Sequence, residues 1–144
     1  MINLKGVEIS TCDENFLIQI YDILKQENSV SRDLARDLAE IFASDVISFV
    51  AHRKKRLLGF IIALRLDCDI HIKSLYVLPK YRGLGIASEL FGALEKNVKN
   101  FGDGNFFIDI HTRYGDLVKF FNKRGFVLEE QRVVLKKFFN GEIY

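Results

Sequence analysis

The chain has a single proline and no tryptophan among its 144 residues. Its two cysteines, Cys12 and Cys68, stand far apart in no C-x-x-C or Cys/His arrangement. That excludes a disulfide framework and offers no zinc-type ligand spacing, so no metal is expected. Long apolar runs are missing as well. None approaches the roughly 18 residues needed to cross a bilayer, and the opening MINLKGVEIS lacks the basic and apolar regions of a secretory leader. A cytoplasmic protein with no membrane partner is the expectation. Nor is there a large excess of charge: 21 Lys and Arg against 19 Asp and Glu leave a formal +2. That is too little for a field that holds nucleic acid nonspecifically, and the aromatics fall at core spacing rather than among exposed cations. What the chain does have is 49% hydrophobic residues, including thirteen Phe and five Tyr, enough for one aromatic-filled core. Residues 1–144 are expected to form a single domain.

Periodicity orders the elements. LKGVEIS reads as a short strand, and Thr11 with Glu14 has capping-box spacing ahead of Phe16, Leu17, Ile20, Tyr21 and Leu24, which share a helical face. Ser31 can cap a second helix carrying Leu34, Leu38, Ile41 and Phe42 on one face. Residues 46–51 and 57–66 are apolar runs around HRKKR, a hairpin with a charged turn. In DIHIKSLYVLP, residues 69–79, the alternation slips at Ser74-Leu75, where a bulge is needed to keep apolar side chains on one face, and the strand must end at Pro79. A helical stripe runs from Ile86 to about Asn100, FFIDI (106–110) is a further strand, and a short helix through Leu117 and Phe121 stops at Gly125, a left-handed cap. VVLKKFF, 133–139, closes with one more strand. Strands and helices mixed in this order predict an α/β (α+β) fold, a mixed sheet covered by helices on both faces.

The one proline introduces VLPKYRGLGIASEL, residues 77–90, in which Gly83 and Gly85 stand just before a helix. Unobstructed N–H groups at the positive end of a helix suit a phosphate. The run has no G-x-x-x-x-G-K-[ST]. A dinucleotide fingerprint would leave its strand directly, whereas Pro79, Lys80, Tyr81 and Arg82 intervene here and Ser88 takes the third glycine's place.

Arg82-x-x-Gly85-x-Ala87, preceded by Leu75-Tyr76-Val77-x-Pro79, resembles the R/Q-x-x-G-x-G/A pyrophosphate motif of the GNAT acyltransferase superfamily. The segment FFNKRGF (120–126) is similar to that family's second region, and the element order agrees from about residue 1 to 139. The resemblance implies a GNAT fold, with six to seven strands and about four helices, and acetyl-CoA as the donor. It places the diphosphate on Arg82, Gly83, Leu84, Gly85, Ile86, Ala87 and Ser88, and the amide-rich arm along Leu75, Tyr76 and Val77, with Phe121 and Lys123 also on the cofactor side. The implied activity is N-acetyl transfer to a primary amine of a small molecule, peptide or protein, by a monomer or homodimer.

The resemblance also implies the candidate proton carriers. His71 stands six residues before Val77, where some members carry a catalytic glutamate, and Asp109 of Asp109-Ile110-His111 matches a glutamate that others carry on the fifth strand. The usual tyrosine acid is replaced by Phe121, which has no proton to give; Tyr114, seven residues earlier, is the candidate in its place. His111 and Arg113 are expected on the acceptor side. A noncatalytic acyl-CoA-binding module is the alternative that Phe121 motivates.

Overall fold

The computed structural model describes residues 4–26, 45–102, 104–110, 114–129 and 135. Chain contacts divide into two compact units, Met1–Asp109 and Ile110–Tyr144. In the first unit the order is β1 (Glu8–Thr11), α1 (Glu14–Gln26), β2 (Val46–Arg53), β3 (Arg56–Leu66), β4 (Asp69–Val77), a 3-10 turn (Pro79–Tyr81), α2 (Ile86–Val98) and β5 (Phe106–Ile108); the second contains α3 (Gly115–Asn122). The described residues thus contribute five strands and three α-helices, fewer than the six to seven strands and about four helices expected. The second helix read over 31–42 and the strand read over 133–139 lie outside the described residues.

The strands join in chain order, β1 to β4 antiparallel and β5 parallel to β4. A parallel neighbour needs a crossover, and α2 supplies it. Alternation then divides the side chains of the sheet between two layers. Phe16, Ile20 and Ile23 of α1 pack on Val50, Leu57 and Phe60, while Ile86, Leu90, Phe91 and Leu94 are the buried stripe of α2. Phe91 meets Phe106 edge-on at 5.4 Å, and pairing through Ile70 and Arg65 puts Phe106 on the face opposite Phe60. Each such fully buried side chain stabilises by about 1.5–3 kcal/mol.

The start of α1 is set by Asp13, whose carboxylate accepts the Asn15 N–H at 2.9 Å. Thr11, the expected cap, is instead the last residue of β1. At the charged hairpin, Lys54 and Lys55 are both left-handed, φ 50 and 67, as a two-residue turn matched to strand twist requires. Gln19 braces it: its amide nitrogen donates to Lys55 O at 3.0 Å and its oxygen accepts the Leu57 N–H at 2.8 Å.

The bulge in β4 is present, one residue before the expected place. Ile62 pairs with Ser74 and Ala63 with Ile72, which leaves Lys73 as the extra residue. Ile70 and Ile72 before it, and Val77 after it, are consequently all buried.

Candidate cofactor and active site

Two open backbone surfaces meet at the end of β4. The first is its edge. Pairing with β5 covers Ile70↔Phe106, His71↔Phe107 and Ile72↔Ile108 and stops there, although β4 continues to Val77. Ladder parity shows which groups this uncovers. Leu78 N–H donates to Leu58 O at 2.8 Å, so Tyr76 and Ser74 turn their polar groups to β3, while Leu75 and Val77 turn theirs to the side that β5 leaves. Ile70 N–H, on the same side before the bulge, does reach Asn105 O at 2.9 Å. Among the described residues no backbone group pairs with Leu75 or Val77 on that edge.

The second surface is the turn into α2. Pro79 opens the 3-10 turn, which Tyr81 N–H to Leu78 O (2.8 Å) and Arg82 N–H to Pro79 O (3.3 Å) close. Gly83 and Gly85 then take φ 76 and 93, and a Cβ at either would meet nothing within 4 Å. Space beside left-handed main chain is what a close-lying anion needs. Gly85 is the N-cap, with no side-chain cap bond. The first intrahelical bond is Glu89 N–H to Gly85 O at 3.1 Å, so Ile86 and Ala87 direct N–H groups out of the helix end, where the dipole is positive. Leu84 lies between the glycines and Ser88 is the third residue of α2. Arg82 turns back from this loop: its Nε donates to Val77 O at 2.7 Å and its guanidinium carbon lies 5.2 Å from the Tyr76 ring centroid. A diphosphate ester with an amide-bearing arm fits both surfaces, anion on the turn and amides along the edge.

His71 pairs with Leu64 on one side and Phe107 on the other, and its ring stacks on that of Phe107 at 5.1 Å. Asp109 follows β5 and is exposed; alternation puts it on the face of Phe107 and His71. The two candidates therefore share a face, with no hydrogen bond between them among the described residues. Cys12, just after β1 and packed on the Phe16–Phe60 cluster, has its thiol pushed up to about 11, by burial first and by the Asp13 charge second.

In the second unit Tyr114 is the N-cap of α3, its carbonyl accepting the Leu117 and Val118 N–H groups at 3.1 and 3.2 Å. Phe121 is buried, edge-on to Phe120 at 5.1 Å and to Phe126 at 4.8 Å. Lys123, the C-cap, is exposed, and Gly125 is left-handed at φ 91 as expected. His111 and Arg113 lie outside the described residues.

Sequence reading missed two residues of the first unit. Phe107 is the ring that holds His71, visible beforehand only as one apolar letter of FFIDI. Gly59 permits close contact with β4, and its signal was available: a lone glycine inside a strand pattern marks close backbone approach.

A family model described as the acetyltransferase (GNAT) domain matches residues 22–138. No curated protein matches the sequence. Among solved structures, an aminoglycoside acetyltransferase, meta-AAC0020, from an uncultured soil metagenomic sample is 17% identical with a TM-score of 0.77, over 96% of this chain and 100% of its own. The aminoglycoside N-acetyltransferase AAC(6')-Iy, solved in complex with CoA, is 22% identical with a TM-score of 0.76, over 91% of this chain and 94% of its own. A GNAT family acetyltransferase from Staphylococcus aureus Mu50 is 19% identical with a TM-score of 0.77, over 93% and 94%. At these identities the likeness is one of fold.

Proposed function

Because the chain belongs to the GNAT acetyltransferase family, an acetyl-CoA-dependent family, we propose that it transfers the acetyl group of acetyl-CoA to a primary amine by direct attack in a ternary complex. The observation that carries this is the open edge of Leu75 and Val77 ending one short turn before the Gly83–Gly85 loop. The family match spans both units, and residues 1–144 act as one domain, as a monomer or homodimer.

Acetyl-CoA supplies an activated acyl group as a thioester. The main chain of the turn through Arg82, Gly83, Leu84, Gly85, Ile86, Ala87 and Ser88 holds its diphosphate, and Leu75, Tyr76 and Val77 hold its arm; Phe121 and Lys123 line the cofactor side. The Val77 N–H is the donor to the carbonyl oxygen as it gains charge, a group whose loss costs about 2.7–4 kcal/mol in comparable sites. His71 and Asp109 relieve the incoming amine of its proton, and Tyr114 is the candidate acid for the departing thiolate. How much base is needed depends on the acceptor: deprotonating a lysine amine at pH 7 costs about 4.6 kcal/mol, an α-amine about 1.

Two of the structural neighbours are aminoglycoside acetyltransferases, which puts amino sugars in the acceptor panel beside amino acids, peptides and polyamines. Titration with acetyl-CoA, followed by thiol release with that panel, tests the reading. Association and turnover support it, and no association with acetyl-CoA overturns it. Association without turnover favours the noncatalytic module, for which the buried Phe121, a side chain with no proton to donate, is the supporting observation.

A further inference from the structure

We propose that Arg82 is a positioning residue that ties the carbonyl of Val77 to the phosphate turn and so fixes how the open end of β4 faces the thioester; this rests on the acetyl-CoA reading above. Val77 turns its C=O to the uncovered edge, and Arg82 Nε occupies that oxygen at 2.7 Å. A bond from a charged donor at this length is among the stronger ones. It closes a small ring: β4 ends at Val77, the 3-10 turn carries the chain through Pro79–Tyr81, and the side chain of Arg82 returns to the strand.

The guanidinium is held from a second direction. Its carbon lies 5.2 Å from the centre of the Tyr76 ring, which stacks on the fully buried Phe60 at 5.8 Å. The group therefore has a fixed aromatic platform and one committed nitrogen, the Nε. A side chain recruited only for its charge would need neither. With Val77 O occupied, the groups this edge leaves to the cofactor are those of Leu75, for the amide arm, and the Val77 N–H, for the thioester carbonyl. That sets its register on the strand, and with it the place of the thioester carbonyl.

The two roles, tie and charge, separate by chemistry. In glutamine the amide nitrogen stands the same number of bonds from Cα as Nε does in arginine, so Arg82→Gln keeps the donor to Val77 O and loses the charge. Arg82→Lys keeps the charge but puts its nitrogen one atom further out and gives up the planar, ring-stacked group. The test uses the whole chain, with ADP as the probe of the diphosphate site and [1-13C]acetyl-CoA as the probe of the thioester carbonyl.

For the wild type, ADP binds and the carbonyl resonance moves downfield from its position in free acetyl-CoA. Arg82→Gln and Arg82→Lys both keep ADP affinity within about threefold, since backbone N–H groups hold the anion. The carbonyl shift survives in Arg82→Gln and is lost in Arg82→Lys. The reverse pattern overturns the proposal: ADP affinity falling about tenfold in Arg82→Gln and preserved in Arg82→Lys, with the shift following affinity. An unchanged shift in both variants also overturns it while leaving the acetyl-CoA reading intact. Failure of the wild type to bind ADP and acetyl-CoA removes both.

Discussion

Gly59 lies so close to Tyr76 that a Cβ on it would stand 2.7 Å from the Tyr76 carbonyl oxygen and 3.3 Å from Val77 Cα. Both obstacles are backbone, which cannot swing aside as a flexible side chain would. The strand end proposed to carry the cofactor arm therefore owes its position to a missing side chain on its neighbour.

Gly59→Ala should push Tyr76 and Val77 outward. Overpacking of this kind costs about 1–3 kcal/mol, so a lower midpoint in urea is expected, together with weaker association with acetyl-CoA by calorimetry. A variant with unchanged stability and affinity would show that β4 yields without consequence.

Gly85→Ala tests the turn by a different mechanism. Nothing lies within 4 Å of the added carbon, yet φ is 93, and a left-handed L-residue costs roughly 1–2 kcal/mol. Relaxation of that strain turns the N–H groups of Ile86 and Ala87 away from their common target, so the expected result is about tenfold weaker binding of ADP. Equal ADP affinity in variant and parent would argue against the anion site.

His71→Ala and Asp109→Asn should lower turnover by a factor of about 10² to 10⁴ each if they carry protons, with acetyl-CoA affinity preserved. The effect should be larger with a lysine-like amine than with an α-amine, because the first has more proton free energy to lose. Equal rates for both variants and the parent would reassign the stacked His71–Phe107 pair to packing.

The two thiols should differ in reactivity. Cys68 is exposed, whereas burial and Asp13 raise Cys12 from 9.0 to about 11. Iodoacetamide at pH 8 should therefore label Cys68 first, as read by mass spectrometry of the digest, since only the thiolate attacks. Linkage gives the sign of the pH effect. Between about 9 and 11 the folded chain keeps the Cys12 proton that the unfolded chain has lost, so Cys12 subtracts stability as pH rises through that window. Cys12→Ser should flatten the decline. Equal labelling of the two thiols would contradict the half-buried placement of Cys12.

Much of the fold could be read from periodicity alone. Apolar residues at helical spacing marked α1 and α2, two apolar runs around a charged turn marked β2 and β3, alternation marked β4, and the single proline marked where β4 ends, because a ring without an N–H ends a ladder in any context. Local rules were less reliable where two solutions compete. Thr11 and Asp13 both offer an oxygen to the start of α1, and only the pairing of Thr11 with Phe49 decides between them. The bulge could be inferred from the slipped alternation, but its position depends on β3, and Lys73 rather than Ser74 is the residue without a partner. The phosphate turn was evident because its glycines, helix and proline are contiguous. The tie from Arg82 to Val77 and the stack of His71 on Phe107 were not, since each needs the path of the folded chain to bring its members together.

Lys73 has a further consequence for how this chain can vary in length. Removing that one extra residue would join Ile72 and Ser74 as successive rungs opposite Ala63 and Ile62, so Leu75 and Val77 would keep their partners and their layer while the local kink of the strand is lost. Loss of any paired residue further along the strand would instead slip the register and move every side chain beyond it to the opposite face.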